Sequence, residues 1–281
     1  MQQPYRNKSK SIIAILYLIW LLSGSLYSQE YPAGKYDFPD QPNGSYFKSY
    51  WGISKAVVTS PLKWDKKHWV ATGGVVTAGV VLYIYDDEIR DFFQRNQSNG
   101  LSSISKFGLE PLGSGVYPAI LLGGTYVYGL AAHNSTARQI ALGGTQAWMM
   151  GAVTAQVIKL LTQRHRPYQD VPGNPRLWKG PFKSLKYTSF PSGHTITAFS
   201  LAAFLSSVYK DRPWVAVVSY GLATGVGLSR VYDDQHWASD VFIGAALGYA
   251  IGKLVFRTMQ PNSKISMAVG PDGGIGLLYK F

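Results

Sequence analysis

The chain has 281 residues and a formal charge of +12, because 27 Lys and Arg side chains outnumber 15 Asp and Glu side chains. This excess favours anionic partners, such as phosphate esters or anionic lipid head groups. The basic residues do not alternate with aromatic residues in one stripe, so we expect no nucleic-acid partner. The chain contains no cysteine, which excludes disulfide bonds, thiolate catalysis and cysteine zinc sites.

The N-terminus has the organisation of a signal peptide. A basic region at residues 6–10 precedes an apolar stretch from Ser11 to Leu22, and small residues suitable for cleavage follow before Gln29. The apolar stretch is shorter than the roughly 20 residues of a membrane span. We therefore interpret residues 1–28 as a signal peptide, with an uncleaved short anchor as the alternative.

The middle of the chain predicts helices. Residues 29–67 form a polar segment for which we expect no strong core, whereas residues 68–258 contain six uncharged runs of about helix length. These predict an all-α bundle of about six core helices, which we expect to be embedded in a membrane. The runs are residues 69–85, 112–132, 139–158, 195–208, 213–228 and 241–252. Residues 86–110 are polar and partly amphipathic, as expected of an interfacial segment.

The C-terminal tail, residues 259–281, differs from the rest of the chain. Two strand-like runs, residues 264–269 and 275–281, flank a segment that contains Asp-Gly, a strong signal for a β-hairpin. One hairpin cannot close a barrel. We therefore expect a short hairpin that caps the helical domain.

The first cluster of candidate site residues follows the third uncharged run. Lys159 and Arg166 are seven residues apart, so two helical turns would place both cations on one face, and Pro167 would then end the helix. Two cations at a helix end can hold a phosphate dianion, but such residues also commonly flank membrane helices. We expect Arg164 and His165 to contact the surface or lipid head groups.

The second cluster precedes the fourth uncharged run. Its sequence, SFPSGH, favours a turn followed by a helix start. Ser192 and the backbone amides of Gly193 and His194 would then form an anion site at a helix N-terminus. His194 could donate a proton to a leaving oxygen. An ordinary helix cap with an incidental histidine explains this pattern equally well.

The third cluster precedes and enters the last uncharged run. His236 and Asp240 are spaced i and i+4, so on a helix they would share a face, and Asp240 would fix the imidazole tautomer for attack. Arg230 can reach the same phosphate only if the polar stretch between it and His236 breaks the helix. Asp233 and Asp234 are expected to face solvent.

The three clusters together have the composition that phosphoryl transfer requires. Lys159, Arg166 and Arg230 can neutralise the equatorial oxygens, His236 can act as nucleophile, and His194 can act as acid. This chemistry needs no metal or other cofactor, and the sequence contains no cluster of metal ligands at recognisable spacing.

The motifs resemble those of the type 2 phosphatidic acid phosphatase and vanadium haloperoxidase superfamily. The family pattern is Lys, six residues, Arg-Pro; then Pro-Ser-Gly-His; then Ser-Arg, five residues, His, three residues, Asp. Every specified position is matched, by Lys159, Arg166, Pro167, Pro191, Ser192, Gly193, His194, Ser229, Arg230, His236 and Asp240. The resemblance covers residues 69–257.

The resemblance implies a helical bundle with the three motifs at one end. It implies a phosphohistidine intermediate on His236, with Asp240 orienting the ring and His194 acting first as acid and then as base. The residues that would bind the phosphoryl oxygens are Lys159, Arg166, Arg230, Ser192 and the amide of Gly193.

We therefore expect a bacterial envelope enzyme, associated with the membrane, with its active site facing the periplasm. The expected substrate is a lipid phosphate of the phosphatidate, phosphatidylglycerol phosphate, polyprenyl diphosphate or lipid A type. The alternatives are a periplasmic nonspecific acid phosphatase, a vanadium haloperoxidase using the same pocket, and a scaffold or transporter component without activity.

Overall fold

The computed structural model describes residues 38–184, 186–260, 265–269 and 275–279. The α-helices within these residues are α1 (Gly44–Thr59), α2 (Lys66–Ile84), α3 (Asp86–Arg95), α4 (Asn99–Ile104), α5 (Glu110–Ser114), α6 (Val116–Ala131), α7 (Ser135–Thr162), α8 (Gly193–Val208), α9 (Pro213–Tyr232) and α10 (Ala238–Thr258). A π-helix (Ser105–Leu109) and two 3₁₀ turns (Ser60–Lys63 and Pro167–Gln169) lie between them. The predicted signal peptide, residues 1–28, lies outside the described residues.

The prediction of an all-α fold is confirmed, but the predicted number of helices is wrong. All six uncharged runs form helices, yet the described residues contain ten α-helices. The additional ones arise where the sequence is polar, since a surface helix needs only one apolar face. In α1, for example, Tyr46 and Ile53 are the buried residues, two turns apart.

The segment before residue 68 contributes to the core, contrary to our expectation. Phe38, Tyr46 and Ile53 belong to the same cluster of buried side chains as residues of α7. The hydroxyl of Tyr46 donates a hydrogen bond to the carbonyl of Leu142 (3.2 Å), and the amide of Gln139 donates to the carbonyl of Phe38 (2.6 Å). The boundary at residues 67 and 68 stays a prediction.

Helix α8 lies at the centre of the bundle and packs most extensively against α10, and then against α9 and α7. Glycines permit the close contact between α8 and α10. A Cβ atom at Gly248 would lie 2.4 Å from the carbonyl oxygen of Ile196, and one at Gly252 would lie 2.2 Å from that of Ser200. The two helix backbones therefore approach each other more closely than any larger residue would allow.

The helix directions bring the three motifs to one end of the bundle. Helices α7 and α9 end there, whereas α8 and α10 begin there. A hydrogen bond from the backbone amide of Ser192 to the carbonyl of Asp240 (3.1 Å) joins the start of α8 to the start of α10. The loops at this end therefore carry the candidate site.

Among the described residues, α9 and α10 are long and apolar enough to cross a membrane. Helices α2 and α3 form a third candidate span if the pair, bent by 60° at its junction, is taken as one. Helices α6 and α8 are apolar but shorter. This composition supports association with a membrane.

Two short strands follow the bundle. Strands β1 (Ile265–Val269) and β2 (Ile275–Tyr279) pair antiparallel, with Ile265 opposite Tyr279 and Val269 opposite Ile275. The turn between them, residues 270–274, lies outside the described residues. The predicted hairpin as a whole, and its role as a cap, stay predictions.

Candidate active site

The cations of the first motif lie on two different elements. Lys159 is in the last turn of α7, but the helix ends at Thr162, where Gln163 adopts a left-handed conformation (φ 49°). The prediction that Lys159 and Arg166 share a helical face is therefore wrong. They meet instead at Thr188: the ammonium of Lys159 donates to its carbonyl (2.7 Å), and Nη2 of Arg166 donates to its hydroxyl (3.2 Å).

The second motif forms the N-terminus of α8, as predicted. Ser192 is the N-cap residue, and its hydroxyl oxygen accepts a hydrogen bond from Thr195 (2.8 Å). A Cβ atom at Gly193 would lie 3.7 Å from Cε of Lys159, so the lysine side chain passes close to the helix start. The free backbone amides of a helix N-terminus and a neighbouring ammonium group together favour an anion.

His194 stands beside a carboxylate that the sequence analysis did not single out. Its Nε2 lies 3.5 Å from Oε1 of Glu110, which is an ion-pair distance. Burial lowers the pKa of His194 to about 4, and the positive charge of Arg230 acts in the same direction, whereas Glu110 raises it. The only signal for Glu110 in the sequence is a lone acidic residue directly before an uncharged run.

His236 and Asp240 are close in space, but not through a shared helical face. Helix α9 ends at Tyr232 and α10 begins at Ala238, so His236 lies in the loop before α10, and the helical i, i+4 prediction is wrong. The predicted break between Arg230 and His236 is confirmed by the same boundaries. Nδ1 of His236 lies 3.8 Å from Oδ2 of Asp240. The ring nitrogen that is not next to this carboxylate is Nε2.

The surroundings of His236 favour its neutral form. Burial lowers its pKa to about 3, and the positive charges of Lys159 and Arg166 contribute to this, whereas Asp240 opposes it. A neutral imidazole has a free lone pair at neutral pH. The histidine is therefore in the protonation state that a nucleophile needs.

The loop between α9 and α10 is held by ion pairs. Nη2 of Arg230 donates to Asp233 (2.7 Å), which also accepts a hydrogen bond from Ser105 (2.7 Å). Arg90 binds both carboxylate oxygens of Asp234 at 2.6 and 2.8 Å. The expectation that Asp233 and Asp234 face solvent is therefore wrong. Asp233 pairs with Arg230 in the last turn of α9, and Asp234 pairs with Arg90 of α3.

Arg164 and His165 are buried and do not lie on the surface as expected. Arg164 is fully buried and donates to Asp240 (2.6 Å) and Asp86 (2.8 Å). Nδ1 of His165 lies 2.8 Å from Asp170. Because α7 ends at Thr162, the chain that carries Arg164 and His165 turns toward the protein interior and does not continue along the surface of the helix.

The structure brings the predicted site residues of all three motifs together. Nη1 of Arg166 donates to Gln235 (2.6 Å), the residue before His236, and so joins the first motif to the third. The residues placed at this end of the bundle are Lys159, Arg166, Ser192, Gly193, His194, Arg230, His236 and Asp240. Their arrangement combines cations, a helix N-terminus, a neutral imidazole and a second histidine.

An apolar cavity of about 120 Å³ lies between α6, α8 and α9, and Val226 is one of the residues in its wall. Gly113 lies against both His194 and Val226, because a Cβ atom added to this glycine would lie 2.7 Å from Cβ of His194 and from Cγ1 of Val226. The cavity wall therefore comes near the histidine at Val226. Other lining residues are Leu112, Leu121, Leu201, Trp214 and Leu222.

Residues 143–264 match the family model of the PAP2 superfamily. Over this range the chain is similar to the PAP2 superfamily. The matched range of the PAP2 domain contains all three motifs. At the level of the family, this supports a lipid phosphatase associated with a membrane.

A search of solved structures adds one PAP2 protein, described as the crystal structure of the first transmembrane PAP2 type phosphatidylglycerolphosphate phosphatase from Bacillus subtilis. It is 22% identical, and the match covers 75% of this chain and 92% of that chain with a TM-score of 0.43. A search of curated proteins found no match.

Proposed function

We propose that the protein is a metal-independent phosphatase that hydrolyses a lipid phosphate through a phosphohistidine intermediate on His236. The observation that carries this proposal is the buried imidazole of His236, with Asp240 Oδ2 3.8 Å from Nδ1 and the charges of Lys159 and Arg166 lowering its pKa. A neutral nucleophile surrounded by cations suits a dianionic substrate.

In the first step, the phosphoryl oxygens are held by Lys159, Arg166, Arg230 and the N-terminus of α8. Nε2 of His236 attacks phosphorus in line with the leaving oxygen. The bond from phosphorus to that oxygen breaks, and protonated His194 supplies the proton that completes the leaving alcohol. Asp240 stabilises the positive charge that forms on the phosphorylated imidazole.

In the second step, water replaces the leaving alcohol. Neutral His194 takes a proton from the water as its oxygen attacks phosphorus. The bond between phosphorus and Nε2 breaks, and its electron pair returns to His236, which becomes neutral again. Inorganic phosphate leaves, and His194 has regained the proton that it gave in the first step.

The apolar cavity supports a lipid substrate. In this proposal His194 protonates the leaving group, and the cavity wall comes near this histidine at Val226, so the chain of a lipid alcohol can extend into the cavity. Phosphatidate, phosphatidylglycerol phosphate, polyprenyl diphosphate and lipid A type substrates all share an anionic head and an apolar chain.

The distribution of charge supports a site that faces the periplasm of a bacterial envelope. The basic side chains in the loops and helix ends opposite the site are those of Lys63, Lys66, Lys67, Lys210, Arg212, Lys253 and Arg257. Short basic loops stay on the cytoplasmic side of a membrane. We therefore assign the site end of the bundle to the outside.

The test is phosphate release by detergent-purified protein, without added metal, from a panel of lipid phosphates and one soluble ester. We expect His236→Ala to lower release from the best lipid by about 1,000-fold or more, as is typical for loss of a nucleophile. The exposed histidine variant His68→Ala should keep full activity. Release that survives in His236→Ala would refute the mechanism.

A periplasmic nonspecific acid phosphatase is the second candidate, and the near-neutral mean hydropathy of −0.01 favours it. The soluble ester in the panel separates the two candidates. Equal turnover of the soluble ester and the lipids, together with extraction in high salt without detergent, would replace the lipid phosphatase by this enzyme.

A further inference from the structure

A buried arginine connects two carboxylates next to the proposed nucleophile. Nη1 of Arg164 donates to Oδ1 of Asp240 (2.6 Å), and Nη2 donates to Oδ2 of Asp86 (2.8 Å). All three side chains are completely inaccessible to solvent. Their charges therefore interact with little screening, and the position of each depends on the others.

Further hydrogen bonds fix this arrangement. Nη1 of Arg164 also donates to the hydroxyl of Ser239 (2.8 Å), and Nε donates to the carbonyl of Pro175 (3.0 Å). The backbone amide of Ser239 donates to Asp86 (2.9 Å), as does its hydroxyl (2.5 Å). All three nitrogens of the guanidinium group thus donate hydrogen bonds and fix one orientation, which a lysine side chain could not reproduce.

Aromatic rings surround the guanidinium group. Its Cζ atom lies 4.9 Å from the ring centre of Tyr83, 5.0 Å from that of Trp178 and 5.5 Å from that of Trp237. Rings at these distances stabilise a cation and exclude water. The guanidinium group of Arg164 is therefore enclosed by rings as well as held by hydrogen bonds.

The two oxygens of Asp240 have separate partners. Oδ1 accepts from Arg164, whereas Oδ2 accepts from the hydroxyl of Ser189 (2.5 Å) and the amide of Trp237 (3.1 Å) and faces Nδ1 of His236. This division fixes the rotation of the carboxylate about its last bond. Because Arg164 binds Oδ1, Oδ2 is the oxygen that faces His236.

We infer that Arg164, anchored by Asp86, is a positioning residue that fixes the carboxylate of Asp240 and, through it, the tautomer of His236. This inference rests on the proposed role of His236 as nucleophile. With Nδ1 protonated against Asp240, the lone pair of Nε2 points away from that carboxylate and is available for phosphorus.

The loss of Arg164 has a defined consequence for the histidine. Asp86 and Asp240 would face each other as two buried carboxylates without a cation between them, and one of them would take up a proton. A protonated or rotated Asp240 would attract a proton on Nδ1 of His236 less strongly than the carboxylate does. The imidazole would then populate both tautomers, and one of them carries its proton on the attacking nitrogen.

The first arm of the test observes the tautomer directly by nitrogen NMR of protein labelled with ¹⁵N-histidine. In the wild type we expect His236 to be neutral, with its proton on Nδ1. In Arg164→Met and Arg164→Lys we expect a mixture of tautomers. The matched control is Arg138→Met, which removes an ion pair with Asp40 at the other end of the bundle and should leave the His236 signals unchanged.

The second arm measures steady-state kinetics on the best lipid phosphate. Arg164→Lys and Ser239→Ala remove hydrogen bonds to charged groups but keep the charge, so we expect kcat to fall by about 10- to 100-fold and KM to stay within about threefold. A purely structural role would instead lower the thermal unfolding temperature with no change in kcat of the folded fraction.

The outcomes of the two arms separate this inference from the proposed function. A single His236 tautomer in folded Arg164→Lys, with unchanged kcat, would overturn the inference. If Arg164→Met does not fold, the inference is tested by the His236 tautomer in Arg164→Lys and by kcat of Arg164→Lys and Ser239→Ala. If the wild type hydrolyses no ester, the proposed function fails, and the NMR arm still decides whether Arg164 positions the histidine.

Discussion

Burial acts on the two histidines of the site in the same direction, but with opposite consequences for their proposed roles. It lowers the pKa of His236 to about 3, which suits a nucleophile, and the pKa of His194 to about 4, which is unfavourable for an acid at neutral pH. The carboxylate of Glu110, 3.5 Å from His194, opposes this effect. The negative charge of a bound phosphoryl group would oppose it further.

We predict that Glu110→Gln moves the alkaline limb of the pH profile of kcat/KM to lower pH. The carboxylate raises the pKa of His194. Its removal lowers that pKa, so a smaller fraction of the free enzyme carries the proton at any pH above it. At neutral pH we expect kcat/KM to fall by about tenfold for each unit of this change.

The control for this prediction is Glu88→Gln, which removes an exposed carboxylate from α3 and should leave the profile unchanged. An alkaline limb at the same pH in Glu110→Gln and the wild type would show that Glu110 does not set the protonation of His194.

Among the helices, the pair α8 and α10 sets the relative position of the second and third motifs. Gly244, Gly248 and Gly252 are spaced four residues apart on α10, and all three face the backbone of α8 or the turn before it. This spacing of small residues is typical of closely packed membrane helices. The glycines allow the starts of α8 and α10 to lie side by side, where the backbone amide of Ser192 donates to the carbonyl of Asp240.

We predict that Gly252→Ala destabilises the protein. The new Cβ atom would lie 2.2 Å from the carbonyl oxygen of Ser200, a backbone atom that cannot rotate away. Overpacking of this kind costs about 1–3 kcal/mol, measurable as a lower thermal unfolding temperature in detergent. In Gly221→Ala, where no atom lies within 4 Å of the new Cβ, the higher helix propensity of Ala should raise it slightly. Equal unfolding temperatures in the two variants would contradict the close packing.

For the molecule as a whole, the basic residues at the end of the bundle opposite the site predict its orientation in the membrane. Basic loops lie opposite the site, and the positive-inside rule assigns that end to the cytoplasm. Because the chain contains no native cysteine, single cysteines can report the orientation of each end.

We predict that Lys183→Cys, in the exposed loop at the site end, reacts with a membrane-impermeant maleimide in intact spheroplasts. Asp211→Cys, in the loop between α8 and α9, should react only after permeabilisation. Asp211 is chosen because its replacement leaves the basic residues of that loop in place. The reverse pattern of labelling would place the site in the cytoplasm, and labelling of both cysteines in intact spheroplasts would exclude α8, which lies between them, as a membrane span.

The sequence by itself determined the helical class and the candidate residues. Uncharged runs of helix length mark segments that must bury their surface, and each run forms a helix. The residue types required by phosphoryl transfer are few, so Lys159, Arg166, His194, Arg230 and His236 stand out when the three motifs are taken together, although the shared helical faces expected from the spacing were wrong. Both inferences depend on local composition or on chemistry that the motif itself contains.

Only the tertiary structure decided which charges face the site and how they are held. The position of Gln163 at the end of α7 turns Arg164 inward, where it meets Asp86, 78 positions away in the chain. Glu110 meets His194 across a similarly long separation. Burial, which sets the protonation of both histidines, is a property of the whole bundle. Such pairs depend on where helices end and which ends pack together, and no local pattern of residues encodes that information.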